Sequence, residues 1–407
     1  MQLFFESGTM KIKFRALLTM CGDPVENGEL IIDDGNIVDV IAQSGNDDDV
    51  MDLSDYLLMP GFVNAHSHIS LSALDKKLTP SESFADWIRA LIPLNSDLDK
   101  ESRVQGIRSG AETMKSSGVT ALGDYVADPE LLPLIGGLGF RSVLFLETLG
   151  FHSEKALELC KSVEEVLMKG NPSSICKLGI APHAPYSVSP DLFRSLGHLA
   201  QKYHCPVSCH VAEIKEEGRF LVLGDDSLEE LLKERAAWDP NWQPPYKSPM
   251  QYLSSLEILE NLIAVHCNFV SDDLGLMEEK KVSAVFCPQS SNWFGREKLM
   301  PVRELIDRGI NVALGTDSLA SNYSLNYLDE LRMADKLLPD VSREELLTMA
   351  TRGGAIALDL QSGSLSPGKK ADLIGFRVPH SYSEPWWDVP FEPHRREVDF
   401  YQVDGHH

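Results

Sequence analysis

Pro60-Gly61-Phe62-Val63-Asn64-Ala65-His66-Ser67-His68 decides how this chain is read. Two histidines stand two residues apart, directly after an apolar run at 56–59 that reads as a strand entrance. Residues i and i+2 of an extended strand point to the same side. His66 and His68 can therefore aim both imidazoles at one point, which a metal ion requires of its first two ligands. Two satisfied polar side chains would leave the same trace. The rest of the chain must decide between them.

Seven further short apolar runs follow, at 119–122, 141–146, 177–181, 206–209, 262–265, 284–287 and 311–314. Helical stretches alternate with them, as at 103–116, 153–168, 190–202 and 303–308. Strands alternating with helices imply a parallel sheet with right-handed crossovers. Eight such units over residues 58–360 predict an α/β fold, a distorted (β/α)8 barrel. The irregular piece 238–249, rich in Pro and Trp, reads as a surface insertion or lid. Outside the barrel the character is β-type: runs at 11–20, 28–33 and 36–41, an Asp34-Gly35 hairpin signal, and a turn into a strand at 368–374. Residues 1–57 and 361–407 are expected to build one small β-sandwich domain from both termini.

The bulk composition narrows the function classes. A 407-residue chain that is 43% hydrophobic can bury a large core. A formal charge of −24 argues against nucleic acid and anionic membrane surfaces as partners. The seven cysteines are scattered and form no C-x-x-C, which suits a reducing compartment without a disulfide framework. No N-terminal apolar run is long enough to span a bilayer, so a cytoplasmic protein is expected. The closing His406-His407 is set aside from site arguments.

Barrels of this kind carry their chemistry at the C-terminal ends of the strands. His66 and His68 follow the first run, His183 the fourth, His210 and Glu213 the fifth, His266 the sixth and Asp317 the last. Five of the ten histidines outside the terminal pair thus fall at strand ends. Each has an ordinary reading alone: Asp317 as a helix N-cap, His266 as a core histidine, Glu213 as a first-turn carboxylate. Together they point to a metal. Cys209 and Cys267 alternate away from His210 and His266 and read as core packing.

Several motifs in this order resemble the amidohydrolase superfamily, in its aminohydrolase (deaminase and chlorohydrolase) branch. They are the residue 60–68 stretch, Ala181-Pro182-His183-Ala184-Pro185-Tyr186, His210-Val211-Ala212-Glu213, Val265-His266-Cys267, Leu314-Gly315-Thr316-Asp317-Ser318-Leu319-Ala320-Ser321-Asn322, and Gly368-Lys369-Lys370-Ala371-Asp372-Leu373-Ile374. The resemblance implies that His66, His68, His210 and Asp317 hold one divalent metal, zinc first and iron as the alternative. It implies that Glu213 shuttles protons, that His266 and Asp317 position the attacking water and collect its proton, and that His183 faces the substrate. Two-metal relatives carry a carboxylated lysine at the end of strand four. Here His183 stands at that end and Lys177 at the entrance end, so a single metal is expected. The other zinc deaminase pattern, H-x-E with P-C-x-x-C, does not occur.

The branch includes deaminases of adenosine, S-adenosylhomocysteine, methylthioadenosine and aminodeoxyfutalosine. It also includes guanine, cytosine and triazine aminohydrolases and chlorohydrolases. The Phe84-Ala85-Asp86-Trp87-Ile88 segment looks most like the nucleoside enzymes. The expected reaction is therefore hydrolytic deamination of a 6-aminopurine nucleoside, with a chlorohydrolase or free-base aminohydrolase as the alternative. Trp87 offers a flat apolar surface for the purine, or a helix anchor. The thioether-nucleoside enzymes carry a ribose-binding Glu in a Pro-x-Glu setting, where this chain has Pro93-Leu94-Asn95. Asn95 would bond a hydroxyl in its place, and Trp293 would make the pocket more aromatic. Arg89 and Arg296 are candidate anchors for a substrate carboxylate. Self-association through exposed barrel helices stays open.

Overall fold

The computed structural model describes residues 8–42, 50–81, 83–224 and 226–403. Parts of the expected terminal unit (1–7, 43–49 and 404–407) lie outside the described residues.

Alternation makes the first segment a sheet. β1 (Met10–Leu17) buries Ile12, Phe14 and Ala16 and turns Lys11, Lys13 and Arg15 outward. β2 (Val25–Glu26) pairs with its end. β3 (Glu29–Asp33) and β4 (Asn36–Ile41) form the expected antiparallel hairpin across Asp34-Gly35. β5 (Met51–Pro60) runs parallel to β1.

The expected strand entrance at 56–59 belongs to β5, not to the barrel. A strand covered on both faces reads as a continuous apolar run whichever sheet holds it, so the run itself could not assign the sheet. The seam expected between residues 57 and 58 falls inside this strand, and the first barrel strand starts after Gly61.

Eight parallel strands follow: β6 (Phe62–Ser67), β7 (Val119–Val126), β8 (Arg141–Thr148), β9 (Cys176–Pro182), β10 (Ser208–Val211), β11 (Ile263–His266), β12 (Ser283–Phe286) and β13 (Val312–Leu314). They pair in order as β6 to β9 and as β10 to β13. Parallel bridges cross both seams, Ile180 to Val207 and Ser67 to Asp317. At the second seam, Thr316 N–H and Asp317 N–H both donate to His66 O, at 3.0 and 3.1 Å. The ring is thereby a (β/α)8 barrel, as expected. Val63, Tyr125, Phe145, Val265 and Val285 fill its interior. Helices Lys100–Ser116, Ala156–Leu167 and Pro190–Tyr203 accompany the strands. Asp99 and Ser189 cap the first and last of these by accepting from the Ser102 and Leu192 N–H groups.

After the barrel, β14 (Leu373–Arg377) pairs antiparallel with β5, and β15 (Phe400–Gln402) pairs with β14. Segments 10–41, 51–60 and 373–402 therefore share one sheet, in the order β15-β14-β5-β1-β3-β4. A buried bidentate pair, Arg141 to Asp372 at 2.8 and 3.1 Å, ties the start of β8 to the approach to β14. The 238–249 piece is fastened at its base. Trp242 stacks on Phe220 at 4.4 Å, and the Asp239 carboxylate accepts from Ser153 N–H at 3.0 Å. Among the described residues, no helix is long and apolar enough to cross a membrane.

Candidate metal centre and active site

The barrel brings His66, His68 and His210 together. One ring nitrogen of each lies within 4.8 Å of the other two. His68 Nε2 is 3.3 Å from His210 Nε2, and Asp317 Oδ1 lies 3.7 Å from His66 Nε2 and 3.9 Å from His68 Nε2. Two of the ligand candidates, His210 and Asp317, are aimed by neighbours. His210 Nδ1 sits 2.9 Å from His183 O, which turns Nε2 inward. Asp317 Oδ2 accepts from Ser290 Oγ at 2.8 Å and Ser321 Oγ at 2.9 Å, leaving Oδ1 for the histidines. Asp124 on β7 accepts from Ser67 Oγ and Ile69 N–H, at 2.6 and 2.8 Å, and pins the turn after the His66/His68 pair. Gly315 lets β13 approach His66, since a Cβ there would meet the His66 Cβ and carbonyl oxygen at 2.9 Å.

Backbone strain gathers at the same rim. His266, Asp317 and Ala212 take φ of 73°, 59° and 52°. Non-glycine residues hold this region at some energetic cost, and such sites concentrate where function requires a fixed direction.

The electrostatics suit a cation. Burial holds His66 and His210 below the usual imidazole range, brings His68 down to about 3 and brings His183 to about 4. These rings are neutral at pH 7, as metal ligands must be. Burial alone would raise the Asp317 carboxyl, but His66 and the surrounding imidazoles bring it below the usual carboxylate range. Among the described residues, both ring nitrogens of His66 are buried with no hydrogen-bond partner, which is costly for a polar group left without a ligand. The donor set and this orphaned ring fit a divalent ion.

Beside the ligand cluster stand the expected acid/base residues. Glu213 Oε2 is 3.9 Å from His266 Nε2, and Glu213 Oε1 accepts from Arg296 Nη2. The Glu213 backbone is held from both sides. Its N–H and that of Ala212 donate to the buried Glu217 carboxyl at 3.2 and 2.9 Å, and Asn268 Nδ2 donates to its carbonyl at 3.0 Å. The His183 ring lies 4.9 Å from that of His210, with Nδ1 2.6 Å from Ser187 Oγ. Trp87 and Trp293 join one aromatic wall with Phe84 and Phe294. The Trp87 indole N–H donates to Ala320 O at 3.2 Å, on the loop after Asp317.

Two of the expected substrate contacts are engaged by other side chains. The Asn95 side-chain and backbone oxygens both accept from Arg103, each at 2.8 Å. Arg89 is already bidentate to Glu234 and bound to Asp86, so it offers no fork to a substrate carboxylate. Lys177 does lie at the far end, donating to Asp359 O at 2.9 Å.

The sequence reading missed Asp124 and Glu147, although both stand near the ends of the second and third runs. Glu147 Oε2 is 3.9 Å from His68 Nδ1, and burial raises its carboxyl to about 8. Applying the strand-end test to every run would have found them.

Comparison with known proteins gives the family and the fold. The Amidohydrolase family description matches residues 57–399. The chain is 32% identical over 378 residues to a 5-methylthioadenosine/S-adenosylhomocysteine deaminase of Pyrococcus furiosus, covering 88% of this chain and 84% of that protein. It is 29% identical to a 5′-deoxyadenosine deaminase of Methanosphaera stadtmanae, covering 95% and 91%. Among solved structures, the Helicobacter pylori aminofutalosine deaminase in complex with methylthio-coformycin aligns with a TM-score of 0.84 at 24% identity, covering 97% and 99%.

Proposed function

Because this chain belongs to the amidohydrolase family, we propose that it is a metal-dependent aminohydrolase that converts a 6-aminopurine nucleoside to its 6-oxo product and ammonia. The observation that carries the reading is the buried cluster of His66, His68 and His210, with Asp317 against it and Glu213 and His266 alongside. Deaminase names among relatives that cover most of the chain favour loss of ammonia over loss of chloride.

In this reading His66, His68, His210 and Asp317 hold one divalent ion, zinc by preference for three imidazoles and a carboxylate, or iron. The ion would supply Lewis-acid activation of a water molecule. The chain does the rest. Asp317, steadied by Ser290 and Ser321, and His266 orient the water and take up its proton. Glu213 carries one proton of that water to the ring nitrogen, and the water's other proton, taken up by Asp317 and His266, passes to the departing amine, which leaves as ammonia. His183 faces the purine edge from its Ser187 contact, and Trp87 and Trp293 wall the pocket on the apolar side.

The two chain ends, 1–60 and 361–407, are proposed as one β unit and 61–360 as the catalytic barrel. A small molecule is the expected partner, and the acidic surface and free thiols suit the cytoplasm. The test is ammonia release from the metal-loaded protein against 6-aminopurine nucleosides, free bases and a chlorinated triazine. Turnover of a nucleoside supports the reading. Turnover of the base or the triazine alone overturns it.

A further inference from the structure

The helix Pro288–Trp293 ends in a left-handed cap. Gly295 takes φ +61°, its N–H reaches Asn292 O, and Arg296 N–H returns to Ser291 O, both at 3.0 Å. A residue without Cβ takes that φ at least strain. The cap fixes the Arg296 backbone beside the aromatic wall. Its guanidinium carbon lies 4.2 Å from the Phe294 ring centroid and 5.2 Å from that of Phe84. The side chain is only 14% exposed. From between the rings, Nη2 donates to Glu213 Oε1, while Glu213 Oε2 turns towards His266.

The terminal torsion of a glutamate is broad, so an unheld carboxylate presents either oxygen in many directions. A guanidinium fixed to one oxygen removes that freedom. A planar cation wedged against aromatic faces does this better than a point-charge ammonium on a flexible stem. We propose that Arg296 is a positioning residue that holds Glu213 by Oε1, so that Oε2 alone exchanges protons with the water and the substrate ring. The proposal rests on the reading of Glu213 as the proton shuttle. An Arg296 that merely stitched the aromatic wall would act on stability and on KM, not through Glu213.

The test uses the metal-loaded protein and the nucleoside that the wild type turns over. Arg296→Ala is expected to lower kcat about 100-fold, the effect of an acid/base group misplaced by about 1 Å. KM should stay within about threefold. Added guanidinium ion should restore part of the lost rate. Glu213→Gln/Arg296→Ala should be no slower than Glu213→Gln, because one group acts through the other. Arg296→Lys, which keeps the charge and the stem, should fall between wild type and Arg296→Ala, and it serves if the alanine variant does not fold. A kcat within about twofold of wild type, or losses that multiply in the double variant, overturns the proposal. A crystal structure of each variant reads the same point without turnover. Glu213 should keep one rotamer in the wild type and spread over several once Arg296 is removed. An unchanged Glu213 overturns the proposal even if no nucleoside is turned over, and that silence would by itself count only against the substrate reading.

Discussion

Glu217→Gln gives a prediction whose size and sign both follow from the loop that carries Glu213. The Glu217 carboxyl is fully buried and accepts the Ala212 and Glu213 N–H groups with its two oxygens. Burial raises it from 4.5 to about 8. A group raised in the folded state contributes stability that is fully present below its unfolded pKa and lost as pH climbs through its folded pKa. Inside that window the loss is about 1.4 kcal/mol per pH unit, so on the order of 3 kcal/mol between pH 5.5 and 7.5. Glutamine cannot titrate. It also offers one acceptor where two N–H donors must be met, and an orphaned buried donor costs about 1–3 kcal/mol. The variant should therefore be less stable than wild type by about that amount at pH 5.5 and close to wild type, or above it, at pH 7.5. Urea unfolding of the metal-free protein at the two pH values measures the difference. An equal effect at both would refute the reasoning, since it would mean that Glu217 titrates alike in the folded and unfolded chains.

The other predictions concern the site itself. Glu213→Gln should retain the metal, as metal analysis would show, and lose turnover by about 10²–10⁴-fold; near-normal activity would remove the proton shuttle. His66→Ala should fail to retain stoichiometric metal after dialysis, because both His66 ring nitrogens are buried with no hydrogen-bond partner among the described residues and the proposed ion is what would engage them. Asn95→Ala should leave KM within about twofold, since Asn95 is engaged by Arg103. A tenfold rise would return it to the substrate pocket.

The strand-end histidines, Glu213 and Asp317 were legible in the sequence because a barrel obliges chemistry to sit where strands end. Their spacing also carries a period-two signal that depends on no distant contact. The sheet assignment of residues 56–59 was not legible, because any doubly covered strand reads the same. The engagement of Asn95 by Arg103 was not legible for a different reason. Asn95 lies near the end of the helix Phe84–Ser96, within reach of Arg103 on the next helix, Lys100–Ser116, and residue type cannot reveal that pairing. The hold of Glu217 on the Glu213 backbone and the grip of Arg296 on its carboxylate depend on how loops from separate strands meet. Arg296 reads in the sequence as a candidate anchor for a substrate carboxylate, and the structure brings it across 83 residues of chain onto the Glu213 carboxylate instead.

The most direct measurement titrates metal-free protein with zinc while recording ammonia released from adenine nucleosides. The account predicts that release rises with added zinc and breaks at one equivalent per chain, with one ammonia for each 6-oxo nucleoside formed. A break at two equivalents would contradict the single-ion centre. One tightly bound zinc with no ammonia from any nucleoside would contradict the proposed function.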